Sequence, residues 1–184
     1  MQRFVLASAS PRRRDLLAQV GLTPDVRPSD VDETPLPSEA PQTYALRVAR
    51  DKAMAAPKDV VALAADTVVA LDGQSLGKAR DRAHACEMLG ALSGRTHFVH
   101  TAVVLRTGQE VLTELVSTEV RFRTLSPEEI ERYVDTKEPM DKAGAYGIQG
   151  LGGAMVASLK GSYTNVVGLP LEETLELLQR GGVR

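Results

Sequence analysis

The sequence predicts an α/β fold in which a mixed sheet is flanked by helices, and three observations predict it. Strand-like apolar runs alternate with helical stretches, hairpin-type turns follow the long apolar runs, and prolines mark several helix starts. The chain has 184 residues, one domain's worth on a prior of about 100–200 residues, so a single domain over residues 1–184 is expected. It is 43% hydrophobic and 25% charged, which excludes a disordered chain of low hydrophobicity and high net charge. The formal charge is −2, where a nucleic-acid or anionic-membrane binder carries a basic surface.

Residues 4–7 are a short apolar run read as a buried strand. Ser10 followed by Pro11 has the pattern of a helix N-cap with proline at the first helical position. That helix is expected to reach about Val20, with Leu16, Leu17 and Val20 inward and Gly21 as its stop. Residues 22–41 carry five of the ten prolines and read as an irregular surface segment. A second helix is expected over about residues 42–56. Residues 60–71 are apolar except Asp66 and Thr67, and Asp72 with Gly73 forms a tight hairpin turn.

A helix over residues 81–92 is expected to end at Ser93 and Gly94. Residues 98–105 and 111–124 read as two strands. The second alternates Val116, Thr118, Val120 and Phe122 with Glu119, Arg121 and Arg123, so one face is wet. Ser126 to Glu129 is a capping box with proline at the first helical position, opening a helix that stops before Pro139. A glycine-rich run, 144–153, precedes a strand at 154–159. Pro170 opens a last helix with Leu171, Leu175 and Leu178 at helical spacing. Cys86 is the single cysteine, an apolar filler that allows no intrachain disulfide and points to a reducing cytoplasm. No run reaches the about 20 apolar residues of a membrane span.

Four places carry possible chemistry. Arg12, Arg13 and Arg14 follow Ser8 and Ser10 at a strand-to-helix turn, where the partial positive charge of a helix N-terminus disfavours cations. Either they form a solvated basic patch, with Asp15 helping, or they meet a bound anion such as a polyphosphate. Lys52 falls among Ala45, Val48 and Ala49 on the small apolar stripe of its helix, so it either snorkels outward or meets an anion in a cleft. Asp66 cannot stay ionised and unpaired in a buried strand, which places it at a strand end or bulge facing a metal, a cation or a water. A plain salt bridge is the alternative. Glu33 is a second carboxylate on the irregular segment. Lys78 and the run from Asp141 to Gly150 complete the set, with glycines that permit close backbone approach and Gln149 able to read a base edge. His84, His97 and His100 lack metal-ligand spacing and read as structural or surface residues.

Five segments, LASASPRRRDLL at residue 6, ALAADTVV at 62, LSGRTHFVHTAV at 92, EPMDKAGAYGIQG at 138 and GSYTNVVGLPL at 161, resemble the successive signature blocks of the Maf family. The resemblance covers almost the whole chain. It implies a Maf/Ham1 (ITPase)-like elongated mixed sheet with two lobes around a nucleotide cleft, usually in a homodimer. It also implies cleavage between the α- and β-phosphates of a nucleoside triphosphate, with a divalent cation, Mg²⁺ or Mn²⁺.

Carried onto this sequence, the resemblance makes Asp66 the catalytic acid, with Glu33 and Asp66 toward the metal. Ser8, Arg12, Arg13, Lys52 and Lys78 become phosphate-binding residues. Arg12, Thr67 and Gln149 match the positions associated with the dTTP and UTP branch, which also accepts modified pyrimidine nucleotides; a second branch prefers 7-methyl-GTP. Ala79 departs from the family, which usually has proline after the lysine. A nucleotide-binding regulator of cell division without relevant hydrolysis is the rival reading. RNA binding fits poorly, with 4% aromatic residues and no tryptophan.

Overall fold

A computed structural model describes residues 4–108 and 110–183. One seven-stranded sheet runs through the molecule in the order β2-β1-β3-β5-β6-β7, with β4 on β3. Strands β1 (Phe4–Leu6), β2 (Asp25–Val26) and β3 (Val61–Leu71) are parallel to one another. Strands β4 (Gln74–Leu76), β5 (Thr96–Arg106), β6 (Val111–Phe122) and β7 (Val156–Lys160) are added antiparallel. The helices are α1 (Pro11–Gln19), α2 (Pro41–Ala55), α3 (Arg82–Leu92), α4 (Pro127–Asp135), α5 (Tyr163–Val167) and α6 (Leu171–Arg180). Short 3-10 turns occupy Glu138–Asp141 and Leu151–Met155.

Alternation along the strands divides the core. Even-numbered residues of β3 and β5, Ala62, Ala64, Val68, Ala102 and Val104, meet Ala45, Ala49 and Ala53 of α2. On the other face, Leu63, Ala65, Val103 and Leu105 pack against Leu16 and Leu17 of α1 and Leu177 and Leu178 of α6. Farther along that face, Val69, Leu71, Val99, Val120 and Phe122 pack against Leu89 and Leu92 of α3 and Tyr133 of α4. Two apolar cores therefore share one face of the sheet. Between them lies a polar seam, in which the Thr67 and Thr101 hydroxyls stand 2.9 Å apart and Thr101 donates to the Asn165 carbonyl at 3.0 Å.

A second feature opens the cleft. One side of β3 pairs with β5 from Ala62 to Ala70 without interruption. Its other side pairs with β1 at residues 61–63 and with β4 at residues 69–71, which leaves 64–68 without a strand partner there.

The local signals account for most elements. Asp72 and Gly73, with φ of 51° and 77°, make the two-residue turn between β3 and β4 with both residues left-handed. Ser126 and Glu129 exchange the reciprocal bonds of the capping box. Asp81 caps α3 by accepting from the His84 N–H at 2.8 Å. Ser10 is the N-cap of α1 but makes no side-chain cap bond; its N–H instead donates to Ser8 Oγ at 3.3 Å.

Other expectations are corrected. Val20 is exposed, because α1 ends at Gln19 and Leu22 fills the inner position beyond the turn. Leu175 is also exposed, the buried stripe of α6 being Thr174, Leu177 and Leu178. The segment 22–41 contributes β2, and the stretch expected as a strand from residue 154 begins as a 3-10 turn. The reading of the histidines as structural or surface residues holds: His97 and His100 are buried, with Nε2 of His97 2.8 Å from the Tyr146 hydroxyl and Nδ1 of His100 2.7 Å from Ser117 Oγ. Cys86, as expected of an apolar filler, packs at the edge of the α3 core.

Candidate active site

A cleft of about 870 Å³ lies over the unpaired stretch of β3. Its lining includes every residue that the family resemblance assigns to the site: Ser8, Arg12, Arg13, Glu33, Lys52, Asp66, Thr67, Lys78 and Gln149. They come from the β1–α1 turn, the first turn of α1, the segment before α2, α2 itself, β3, the loop after β4 and the glycine-rich run.

Asp66 stands in mid-strand, at neither an end nor a bulge, its register to Ala102 continuous with Ala65–Val103 and Thr67–Thr101. Its even number turns it to the α2 face, where a cation compensates it. Lys52 Nζ donates to Asp66 Oδ1 at 2.8 Å and lies 2.7 Å from Glu33 Oε1. The lysine is 8% exposed and the aspartate 7%, so Lys52 does not snorkel out. The row of alanines on α2 lets the helix lie close on the strand, and that closeness brings a lysine from the inner stripe onto the acid. Burial raises the Asp66 pKa above its ordinary value; Lys52 and Arg13 pull it back, and Glu33 adds to the rise.

Glu33 is held from behind. Tyr44 donates its hydroxyl to the Glu33 carbonyl at 2.9 Å, and Ser29 donates to the Lys52 carbonyl at 2.8 Å. Arg47 grips Glu39 through two nitrogens, at 2.7 and 2.8 Å, and donates to the Thr34 carbonyl at 3.0 Å. Sequence reasoning passed over Tyr44. Its signal is the spacing: Tyr44, Val48 and Lys52 stack on one helical face at intervals of four.

The three arginines part company. Arg13 is buried, and its guanidinium donates to the Gly168 carbonyl at 2.8 Å, to Ser8 Oγ at 2.9 Å and to Thr67 Oγ1 at 3.0 Å. It thus ties the β1–α1 turn to β3 and to the loop before α6, its charge met largely by neutral acceptors. Arg14 turns away to Asp15 at 3.1 Å. Arg12 reaches Asp141 across the cleft at 3.5 Å, a contact that an incoming anion can replace. Lys78 is exposed on the rim and makes no ion pair among the described residues. Its backbone is fixed by the bridge to Ala143 and by the Gly144 N–H bond to the Gly77 carbonyl at 3.1 Å, so the segment is held without a proline at position 79.

Gln149 is exposed on the opposite wall. Glu138, not anticipated from the sequence, also lines the cleft and holds the loop that carries Gln149: its carboxylate accepts from Tyr133, Leu151 and Gly152. Glycines two and four residues after Ile148 were its visible trace.

Four carboxylates line the cleft, Glu33, Asp66, Glu138 and Asp141. Glu138 is engaged by Tyr133, Leu151 and Gly152 and Asp141 by Lys142 and Arg12, which leaves Asp66 and Glu33, side by side on Lys52, as the pair of hard oxygen donors. No group of three or more His, Cys, Asp or Glu side chains placed to hold a metal occurs among the described residues. Two adjacent carboxylates fit Mg²⁺ or Mn²⁺, which commonly take one or two carboxylates and complete their shell with water and ligand oxygens.

The Maf-like protein family model matches residues 3–181. A dTTP/UTP pyrophosphatase of Anaeromyxobacter dehalogenans strain 2CP-1 is 57% identical over 184 residues, covering 98% of this chain and 94% of its own. The protein of the same name from Escherichia coli K12 is 53% identical over 182 residues, covering 97% and 92%. Among solved structures, the Staphylococcus aureus Ham1 protein matches 66% of this chain and 72% of its own, with 15% identity and a TM-score of 0.47; at that level it adds nothing to the assignment. No described helix is long and apolar enough to cross a membrane. With a family match over nearly every residue and relatives identical at more than half of their positions, the chain belongs to the Maf family.

Proposed function

We propose that this chain hydrolyses dTTP and UTP, and related modified pyrimidine nucleotides, to the nucleoside monophosphate and pyrophosphate. One observation carries the reading: a buried acid, Asp66, faces a cleft that also gathers Lys52, Arg12, Arg13 and Lys78 from separate segments. The names of the relatives support the substrate, and so do Arg12, Thr67 and Gln149, which line that cleft at the positions matching the pyrimidine branch.

In the proposed reaction a water attacks the α-phosphorus in line with the bridging oxygen to the β-phosphate. A P–O bond to the water oxygen forms, the α–β anhydride bond breaks, and its electron pair leaves with pyrophosphate. Asp66 takes the proton of the attacking water. A carboxylate whose pKa is raised by burial is a better base near neutral pH than an exposed one. Lys52 keeps Asp66 and Glu33 oriented, its ammonium lying between them. Arg12 and Lys78 neutralise the charge growing on the leaving group, and Ser8 with Arg13 fixes the turn that presents Arg12. A divalent cation held by Asp66 and Glu33 supplies further neutralisation of phosphate charge. Thr67 and Gln149 set the base preference. The cleft volume lies within the about 300–1,000 Å³ usual for small-ligand sites.

A homodimer in the cytoplasm completes the reading. The family resemblance supports the dimer, and the single unpaired cysteine supports the compartment. Light scattering on the purified chain tests the dimer directly.

Pyrophosphate release from a panel of dTTP, UTP, dCTP, ATP, GTP and 7-methyl-GTP tests the activity. Highest kcat/KM with dTTP and UTP is expected. Preference for 7-methyl-GTP would move the chain to the other branch, and binding without release of pyrophosphate would make it a regulator.

A further inference from the structure

The glycine-rich wall of the cleft is folded around one carboxylate. Glu138 Oε1 accepts from the Tyr133 hydroxyl at 2.9 Å and from the Gly152 N–H at 3.1 Å; Oε2 accepts from the Leu151 N–H at 3.0 Å. The same tyrosine oxygen accepts the Gly147 N–H at 3.1 Å. Lys142 Nζ donates to the Glu138 carbonyl at 2.6 Å and pairs with Asp141 at 2.6 Å. The loop from Gly147 to Gly152 is therefore pinned at both ends, and Gln149 stands at its crest.

Packing makes the arrangement specific. A Cβ on Gly150 would lie 2.5 Å from both Glu138 oxygens, and one on Gly152 would lie 2.7 Å from the Tyr133 hydroxyl. Gly150 has no room for a side chain while Glu138 occupies its place, and Gly152 has none beside the Tyr133 hydroxyl and the Gly147 backbone, so the loop closes around Glu138 and Tyr133 only with glycine at both positions. Partial burial pushes the Glu138 pKa up, but the Gly152 and Leu151 N–H groups, the Tyr133 hydroxyl and the nearby Lys142 charge together outweigh it and leave the pKa below its ordinary value, so the group is an ionised acceptor at neutral pH. This carboxylate lies outside the Lys52, Asp66 and Glu33 cluster and touches none of those three.

We infer that Glu138 is the positioning residue for base recognition: by holding Leu151, Gly152 and Tyr133 at once it fixes the loop that presents Gln149 to the nucleobase. The inference rests on the pyrimidine pyrophosphatase reading above. Removing the carboxylate frees two backbone donors and one hydroxyl and lets the crest move, while Asp66 and Lys52, held on β3 and α2, stay where they are. The loss falls on recognition rather than on the chemical step.

The experiment compares wild type with Glu138→Ala and Tyr133→Phe, measuring kcat and KM for UTP, dTTP, GTP and ATP by pyrophosphate release. Glu138→Ala is expected to raise KM for UTP and dTTP about tenfold or more, to change kcat little, and to shrink the pyrimidine-over-purine ratio of kcat/KM by a similar factor. Tyr133→Phe removes one of the three donors and gives a smaller shift in the same direction; it decides the matter should Glu138→Ala fail to fold. In a Gln149→Ala background Glu138→Ala should cost little more, because it acts through that glutamine. A purely structural role would lower the active fraction for all nucleotides alike, and unchanged KM with an unchanged ratio overturns the inference. Wild type that releases no pyrophosphate from UTP or dTTP overturns the underlying reading, a separate and distinguishable result.

Discussion

Asp66 projects from the middle of an 11-residue strand and Lys52 from the last turn of a 15-residue helix, whereas Gln149 stands on a loop between two 3-10 turns. The first wall is held by the β3–β5 ladder and a row of packed alanines. The second is held by hydrogen bonds to one carboxylate. Under the proposed function their difference follows from the task assigned to each wall. Proton transfer to an acid tolerates little displacement, and regular elements give the most precise support. Reading a base needs a concave surface and close backbone approach, which glycine loops allow.

Predictions that break or sharpen this contrast run from large to small. Asp66→Asn should lower turnover by about 10²–10⁴-fold while nucleotide affinity, measured by calorimetry, largely survives; near-wild-type turnover would remove Asp66 from the mechanism. Because burial raises its pKa, the acid limb of wild-type kcat/KM should lie above the ordinary carboxylate range. Lys52→Ala should destabilise the fold by roughly 3 kcal/mol, since it leaves a buried carboxylate without its partner, and a urea midpoint reads the loss. An unchanged midpoint would mean that the catalytic wall does not depend on this pair.

The recognition wall should be the more acid-sensitive. His97, bonded to Tyr146 beneath the loop, is buried neutral with its pKa lowered by desolvation to about 4. A folded-state pKa below the unfolded value means that the unfolded chain binds the proton first. Stability is then full above about pH 6.5 and falls as pH drops toward about 4, by on the order of 3 kcal/mol at most. Urea midpoints measured across that window should fall less steeply for His97→Leu than for wild type. Smallest of all, Gln149→Ala and Thr67→Ala should cut the preference among bases by about tenfold with less effect on rate for the best substrate; equal losses for every nucleotide would contradict their role.

The first wall was more legible in the sequence than the second, for a physical reason. A charge within an apolar run, such as Asp66 or Lys52, must find a counterion, so burial cost alone announces the pair. The sequence did not say that they meet each other, nor that Asp66 sits in mid-strand beside a gap left by the short β1 and β4. That is a tertiary fact. The hairpin at Asp72 and the capping box at Ser126 were readable because each is complete within four residues. Strand β4 and helix α5 span three and five residues, too short for any period to register. Glu138 carried no signal of its own, since its partners are backbone N–H groups more than ten residues away and the Tyr133 hydroxyl on the preceding helix.

Position of isotope in the products tests the central claim most directly. Hydrolysis of UTP in ¹⁸O-labelled water should place the label in UMP, because water activated at Asp66 attacks the α-phosphorus and pyrophosphate leaves toward Arg12 and Lys78. Label found in pyrophosphate, with unlabelled UMP, would mean attack at the β-phosphorus and would contradict the account.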